Sequence, residues 1–125
     1  MARIVVIEDN PDNMKLFRAV LRRSGHEVLE FATGVGVVEA LRGIDPDLIL
    51  LDIQLPDRDG FQVAADLRAD RGPGLRIVAL TANVEPEDRH RALAGDFNGF
   101  IPKPIEVTRF PEQVARAVAG LAPDG

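Results

Sequence analysis

Five short apolar runs recur along the chain, and each is followed by a segment with helical spacing. Arg3–Ile7 (RIVVI), Leu48–Leu51 (LILL) and Arg76–Leu80 (RIVAL) are continuously apolar rather than alternating, as strands buried on both faces are. LILL is the most apolar run and predicts a central strand. Glu27–Phe31 is more polar and suits a sheet edge, and Gly99–Ile101 predicts a short final strand. Between them, Asn10 can cap a helix with Pro11 at its first position, running to about Ser24 before Gly25 stops it. Further helices are expected over Val35–Arg42, over Gly60–Asp70 before the Gly72-Pro73-Gly74 break, over Pro86–Ala94, and over Thr108–Ala119. Five β–α units with short connections imply an α/β fold, a parallel sheet with helices on both faces.

The 125 residues suit one domain. With 46% hydrophobic and 28% charged residues the chain is neither disordered, collagen-like nor a coiled coil. The absence of cysteine excludes a disulfide framework, thiolate metal sites and a thiol nucleophile. A net charge of −5 argues against non-specific nucleic-acid binding. No apolar run approaches the roughly 20 residues of a membrane helix, and Met1 leads into Ile4–Ile7 without a signal peptide. A soluble, cytoplasmic domain is expected, with 122–125 as a loose tail.

In an open parallel sheet, function sits beyond the carboxyl ends of the strands. Glu8 and Asp9 follow the first run, Asp52 the third, Thr81 the fourth, and Lys103 lies just past the fifth. Singly, each has an ordinary reading. Asp9 before Asn10 could belong to a helix cap, Thr81 could be a turn hydroxyl, and Lys103 an exposed lysine between prolines. Asp52 is harder to dismiss, because a lone carboxylate after so apolar a strand is costly. Jointly they place three carboxylates, a hydroxyl and an ammonium at one edge. Clustered carboxylates repel unless a cation intervenes. An all-oxygen ligand set without His or Cys suits a hard divalent ion, Mg²⁺ with Mn²⁺ as a substitute. Such an ion beside a nucleophilic carboxylate can stabilise a transferring phosphoryl group.

These residues lie in motifs that resemble the receiver domain of two-component response regulators: IEDN at 7–10, PDLILLDIQLPDRDG at 46–60, ALTA at 79–82 and FIPKP at 100–104. EDNPDNMKLF at 8–17 with DIQLP looks especially like the DivK-type stand-alone receivers, and receivers of hybrid histidine kinases carry similar motifs. The resemblance implies a doubly wound five-stranded sheet in the order 2-1-3-4-5 with five helices, with 1–121 as the receiver domain. It implies that Asp52 accepts a phosphoryl group from a phosphohistidine on a sensor histidine kinase or histidine phosphotransfer protein. Asp9, Asp52 and the backbone carbonyl of Gln54 would hold Mg²⁺, with Glu8 acting through water. Lys103 would pair with a phosphoryl oxygen, Thr81 would bond another, and Phe100 would be the switch aromatic. The Lys103–Pro104 bond would be cis. The role implied is a signalling phosphoacceptor without direct DNA binding, not a turnover enzyme.

On the first helix, Leu16, Phe17, Val20 and Leu21 form a stripe expected to face the sheet, with Met14 roughly 90° away on its flank. Met14 is therefore expected to take part in partner docking. His26 is expected in an exposed turn, His90 has no partner at metal spacing, and Gln54 and Asn83 adjoin the site. Only 121–125 follow the last helix, so the chain is expected to act without its own output domain; an excised receiver of a longer regulator or hybrid kinase is the alternative. A flavodoxin-like cofactor binder shares the architecture, but Glu8-Asp9-Asn10-Pro11-Asp12 repels phosphate and no Trp or Tyr is present to stack on a flavin. A pseudo-receiver would lack Asp52, Lys103 or the acidic pair. An aspartyl phosphatase would need a DxD motif where Asp52-Ile53-Gln54 stands.

Overall fold

The computed structural model describes residues 2–82 and 95–123. Strands β1 (Arg3–Ile7), β2 (Glu27–Phe31), β3 (Leu48–Asp52), β4 (Ile77–Thr81) and β5 (Gly99–Pro102) form one sheet in the order β2-β1-β3-β4-β5. Every neighbouring pair is parallel. Among the described residues there are four helices: α1 (Pro11–Arg23), α2 (Val37–Ala40), α3 (Gly60–Arg71) and α4 (Phe110–Val118). The helix expected over 86–94 lies outside the described residues.

Alternation along the strands divides the core in two. Val5, Ile7, Ile49, Leu51, Ile77 and Ala79 face α2 and α3. Ile4, Val6, Leu48, Leu50, Val78 and Leu80 face α1 and α4. Every residue of β3 and β4 is buried, which is why their sequences run apolar without a break. The polar β2 sits at one edge, as its composition requires.

Asn10 opens α1: its side-chain oxygen accepts from the backbone N–H groups of Asp12 and Asn13 at 2.9 and 3.0 Å. Gly25, with φ of 88°, turns the chain out of the helix. The phase of α1 differs from expectation. Met14, Phe17, Val20 and Leu21 are the buried set, whereas Leu16 is 37% exposed. The ring of Phe17 stacks on that of Phe110 of α4, with centroids 5.6 Å apart. That contact rotates Met14 inward and Leu16 outward, giving an i, i+3, i+7 stripe. The second helix is also shorter than the expected Val35–Arg42. Gly36 turns into it with a left-handed φ of 77°, and Arg71 of α3 takes the carbonyls of Leu41 and Ile44 at 3.0 and 2.5 Å beyond it.

Two networks tie down the amino end of the sheet. Arg68 of α3 donates to the carbonyls of Gly72, Leu75 and Asp96 and to the side chain of Asn98, which in turn accepts from the backbone N–H of Ile77 at 2.8 Å. The segment expected as a loose tail is held as far as Pro123. Arg116 donates to the Ala122 carbonyl at 2.8 Å, and Pro123 is buried against Gly99. His26 is half-buried rather than exposed; its Nδ1 accepts from the Ala2 N–H at 3.1 Å.

Between β3 and α3 the chain folds back sharply. Gln54 and Asp59 form an antiparallel bridge, and a Cβ on Gly60 would lie 2.3 Å from the Ile53 Cα and 2.8 Å from the Asp52 carbonyl oxygen. Only glycine fits so close an approach. Gly60→Ala is therefore expected to destabilise the protein by about 2 kcal/mol or more, as overpacking against backbone does. Urea unfolding curves of the two proteins measure it.

Candidate functional site

The parallel register delivers the predicted polar residues to one edge. Glu8 and Asp9 leave the end of β1, whose Ile7 pairs with Leu51 directly before Asp52. Asp52 pairs with Leu80 next to Thr81, and Thr81 pairs with Pro102 next to Lys103. A further bond from the Lys103 N–H to the Thr81 carbonyl, at 2.7 Å, holds that last turn. The Lys103–Pro104 bond is cis.

Side chains converge accordingly. Lys103 Nζ lies 2.5 Å from Glu8 Oε1 and 3.2 Å from Asp52 Oδ2. Asp52 Oδ1 accepts from the Gln54 N–H at 2.9 Å. One carboxylate oxygen from each of Glu8, Asp9 and Asp52 lies within 4.8 Å of the others. Glu8 and Asp52 are only 1% and 4% exposed, while Asp9 faces solvent. Burial pushes the Glu8 carboxyl up to about 7; the neighbouring Asp52 adds to the rise and Lys103 opposes it. Three oxygen donors with a surplus of negative charge, one of them open to water, fit a hard divalent cation that keeps part of its hydration.

Thr81 is buried at the same edge. Phe100 pairs with Ala79 and, at 8% exposure, already lies within the core on the α3 side. Beside the cluster, a cavity of about 310 Å³ is lined by Asn13, Leu16, Phe17, Gln54, Lys103 and Pro104, among others. Met14 is not among its lining residues. It is 6% exposed within the core, so burial removes the surface that a docking contact needs, and Leu16 holds the position expected of it. Asn83 lies outside the described residues.

Two partners of Glu8 escaped the sequence reading. The N–H of Asn10 donates to Glu8 Oε2 at 3.4 Å, and Asn13 Nδ2 donates to Oε1 at 3.3 Å. The available signal was position: Asn13 is the third residue of a capped helix, where a side chain commonly turns back toward the cap.

The profile of the response regulator receiver domain family matches residues 4–115. The polar-differentiation response regulator DivK of Brucella ovis is 38% identical over 112 residues, 89% of this chain and 91% of that protein. Among solved structures, the receiver domain of a sensor histidine kinase from Pseudomonas aeruginosa, described with a magnesium ion coordinated in its active site cleft, is 32% identical. Its TM-score is 0.83, over 94% of this chain and 98% of that one. A CheY-like receiver domain protein from Methanospirillum hungatei superposes with a TM-score of 0.86 at 23% identity, over 95% of this chain and 94% of that one, a likeness of fold.

The raised Glu8 carboxyl has a signed consequence for the metal-free protein. A carboxyl whose folded value exceeds its unfolded value contributes stability below about 4.5 that is lost as pH rises through about 7. In chelator, the stability of wild type relative to Glu8→Gln is expected to fall by about 3 kcal/mol across that window. Chemical denaturation at stepped pH measures it, and a flat difference would contradict the burial argument.

Proposed function

Because the chain belongs to the response regulator receiver domain family, we propose that Asp52 is its phosphoacceptor, charged by a phosphohistidine on a sensor histidine kinase or histidine phosphotransfer protein. The observation that carries this reading is the single ammonium of Lys103 set between the buried carboxylates of Glu8 and Asp52, with Asp9 beside them. In the transfer, a carboxylate oxygen of Asp52 forms a bond to phosphorus and the P–N bond breaks. The imidazole leaves with that electron pair.

Each side chain then has a task. Lys103, already within 3.2 Å of Asp52, neutralises an oxygen of the incoming phosphoryl group. Asp9, Asp52 and the Gln54 carbonyl would hold Mg²⁺ or Mn²⁺, with Glu8 acting through water, and the chemistry supplied there would be positive charge against the transferring phosphoryl group. Thr81 donates its hydroxyl to another oxygen once Asp52 is modified, and Phe100 reports the change by repacking, without a phenolic hydrogen bond. The product is a signalling state read by a partner protein, so the chain is a phosphoacceptor rather than a turnover enzyme. It works in the cytoplasm and without contacting DNA. No helix among the described residues is long and apolar enough to cross a membrane.

The exposed Leu16 lines the cavity beside Lys103, which supports a phosphohistidine partner docking along α1 and the turn after β5.

Incubation with acetyl phosphate and Mg²⁺ is expected to add one phosphate per chain, read by intact-mass spectrometry. Asp52→Asn or chelation abolishes the gain, and Lys103→Ala slows it by about tenfold or more. Labelling of Asp52→Asn at the wild-type rate would refute the assignment. Leu16→Asp is expected to slow transfer from a phosphohistidine protein and to leave acetyl-phosphate labelling unchanged. Met14→Asp instead places a charge in the core and is expected to lower stability by several kcal/mol, roughly the cost of an unpaired buried charge.

A further inference from the structure

We infer that Asn13 is a positioning residue of the acidic site: its side-chain amide holds the Glu8 carboxylate in the orientation that a divalent cation meets. The inference rests on the divalent-cation reading of Glu8, Asp9 and Asp52 given above.

Asn10 is the N-cap of α1 and Asn13 its third residue. In a capping box, the side chain at that third position returns to the backbone N–H of the cap. Here the cap's N–H is taken by another group, since Asn10 donates to Glu8 Oε2 at 3.4 Å. Asn13 reaches past the cap and donates to Glu8 Oε1 at 3.3 Å. Both oxygens of one carboxylate are thus gripped by the first turn of a helix, whose N-terminus favours negative charge.

Glu8 cannot satisfy these oxygens with bulk water, because its side chain is wholly buried. Besides Asn13, Lys103 lies against Oε1 at 2.5 Å, and Lys103 is shared with Asp52 at 3.2 Å, while Asp52 itself adjoins the Glu8 carboxyl. Remove the Asn13 amide and Oε1 is left to follow the ammonium, with Oε2 still held by the Asn10 N–H. With the amide in place the carboxylate plane is fixed by two donors at the start of α1, the N-cap Asn10 and Asn13, independently of where Lys103 moves when a phosphoryl group arrives. Asn13 acts on the cation through Glu8 rather than as a ligand.

The test compares Mn²⁺ affinity, from the electron paramagnetic resonance signal of the free ion, in four full-length chains: wild type, Asn13→Ala, Glu8→Gln and the double variant. Alanine is the best helix former, so α1 is preserved. Asn13→Ala is expected to weaken Mn²⁺ binding by about three- to tenfold, the effect of one hydrogen bond to a charged group. In the Glu8→Gln background the same change is expected to have no further effect. Equal affinity of wild type and Asn13→Ala, or an equal loss in both backgrounds, overturns the inference while leaving the cation site standing. A wild-type chain that takes up no Mn²⁺ overturns the cation reading itself. A metal-free readout separates the two: the Asn13 side-chain amide protons are expected to shift in the nuclear magnetic resonance spectrum of Glu8→Gln, and unmoved signals count against the contact.

Discussion

Two carboxylates drawn almost wholly out of water at the ends of neighbouring strands would repel each other strongly, and the ammonium of Lys103 is set between them. Backbone pairing brings this triad together. Asp52 is the last residue of the most buried strand, and Glu8 follows the strand next to it. Lys103 is brought in by the pairing of Thr81 with Pro102 one strand further on. A slip of one residue in either register would send these groups to the opposite face. The site is as well defined as the sheet is.

The charges are not balanced. Asp9 leaves the cluster with more negative charge than one lysine offsets, and burial, with Asp52 alongside, raises the Glu8 carboxyl. In a purely structural ion pair such an excess would be a defect. In a receiver domain such an excess of oxygen donors suits a divalent cation, whose charge would offset it.

Much of this was legible in the sequence because parallel β–α units make strand ends predictable from apolar runs alone. All five strands, the cap at Asn10 and the convergence of Glu8, Asp9, Asp52, Thr81 and Lys103 follow from reading the residue after each run. What escaped depends on contacts between elements. The rotation of α1 is set by the Phe17–Phe110 stack, which no local period reveals, so Met14 and Leu16 exchange roles. The length of α2 is cut by a guanidinium arriving from α3. Residues 122 and 123 are held because Arg116 reaches Ala122 and Pro123 finds Gly99, a contact of long sequence separation. Asn13 was missed for a different reason: a helix-start asparagine has an ordinary capping explanation that hides a second use.

The Arg68 cluster gives the molecule a second polar pole. Its hydrogen bonds gather where β4 and β5 begin, and the carboxylates gather at the opposite edge of the sheet, where β1 and β3 end. A five-residue strand such as β4 spans roughly 17 Å, about twice the distance over which physiological salt screens a charge, roughly 8 Å. Charge changes at the Arg68 pole are thus felt weakly among the carboxylates, although both poles hold the same sheet. Evolution, or an engineer, can retune how firmly this scaffold is riveted at one end while leaving the electrostatics of the other almost untouched.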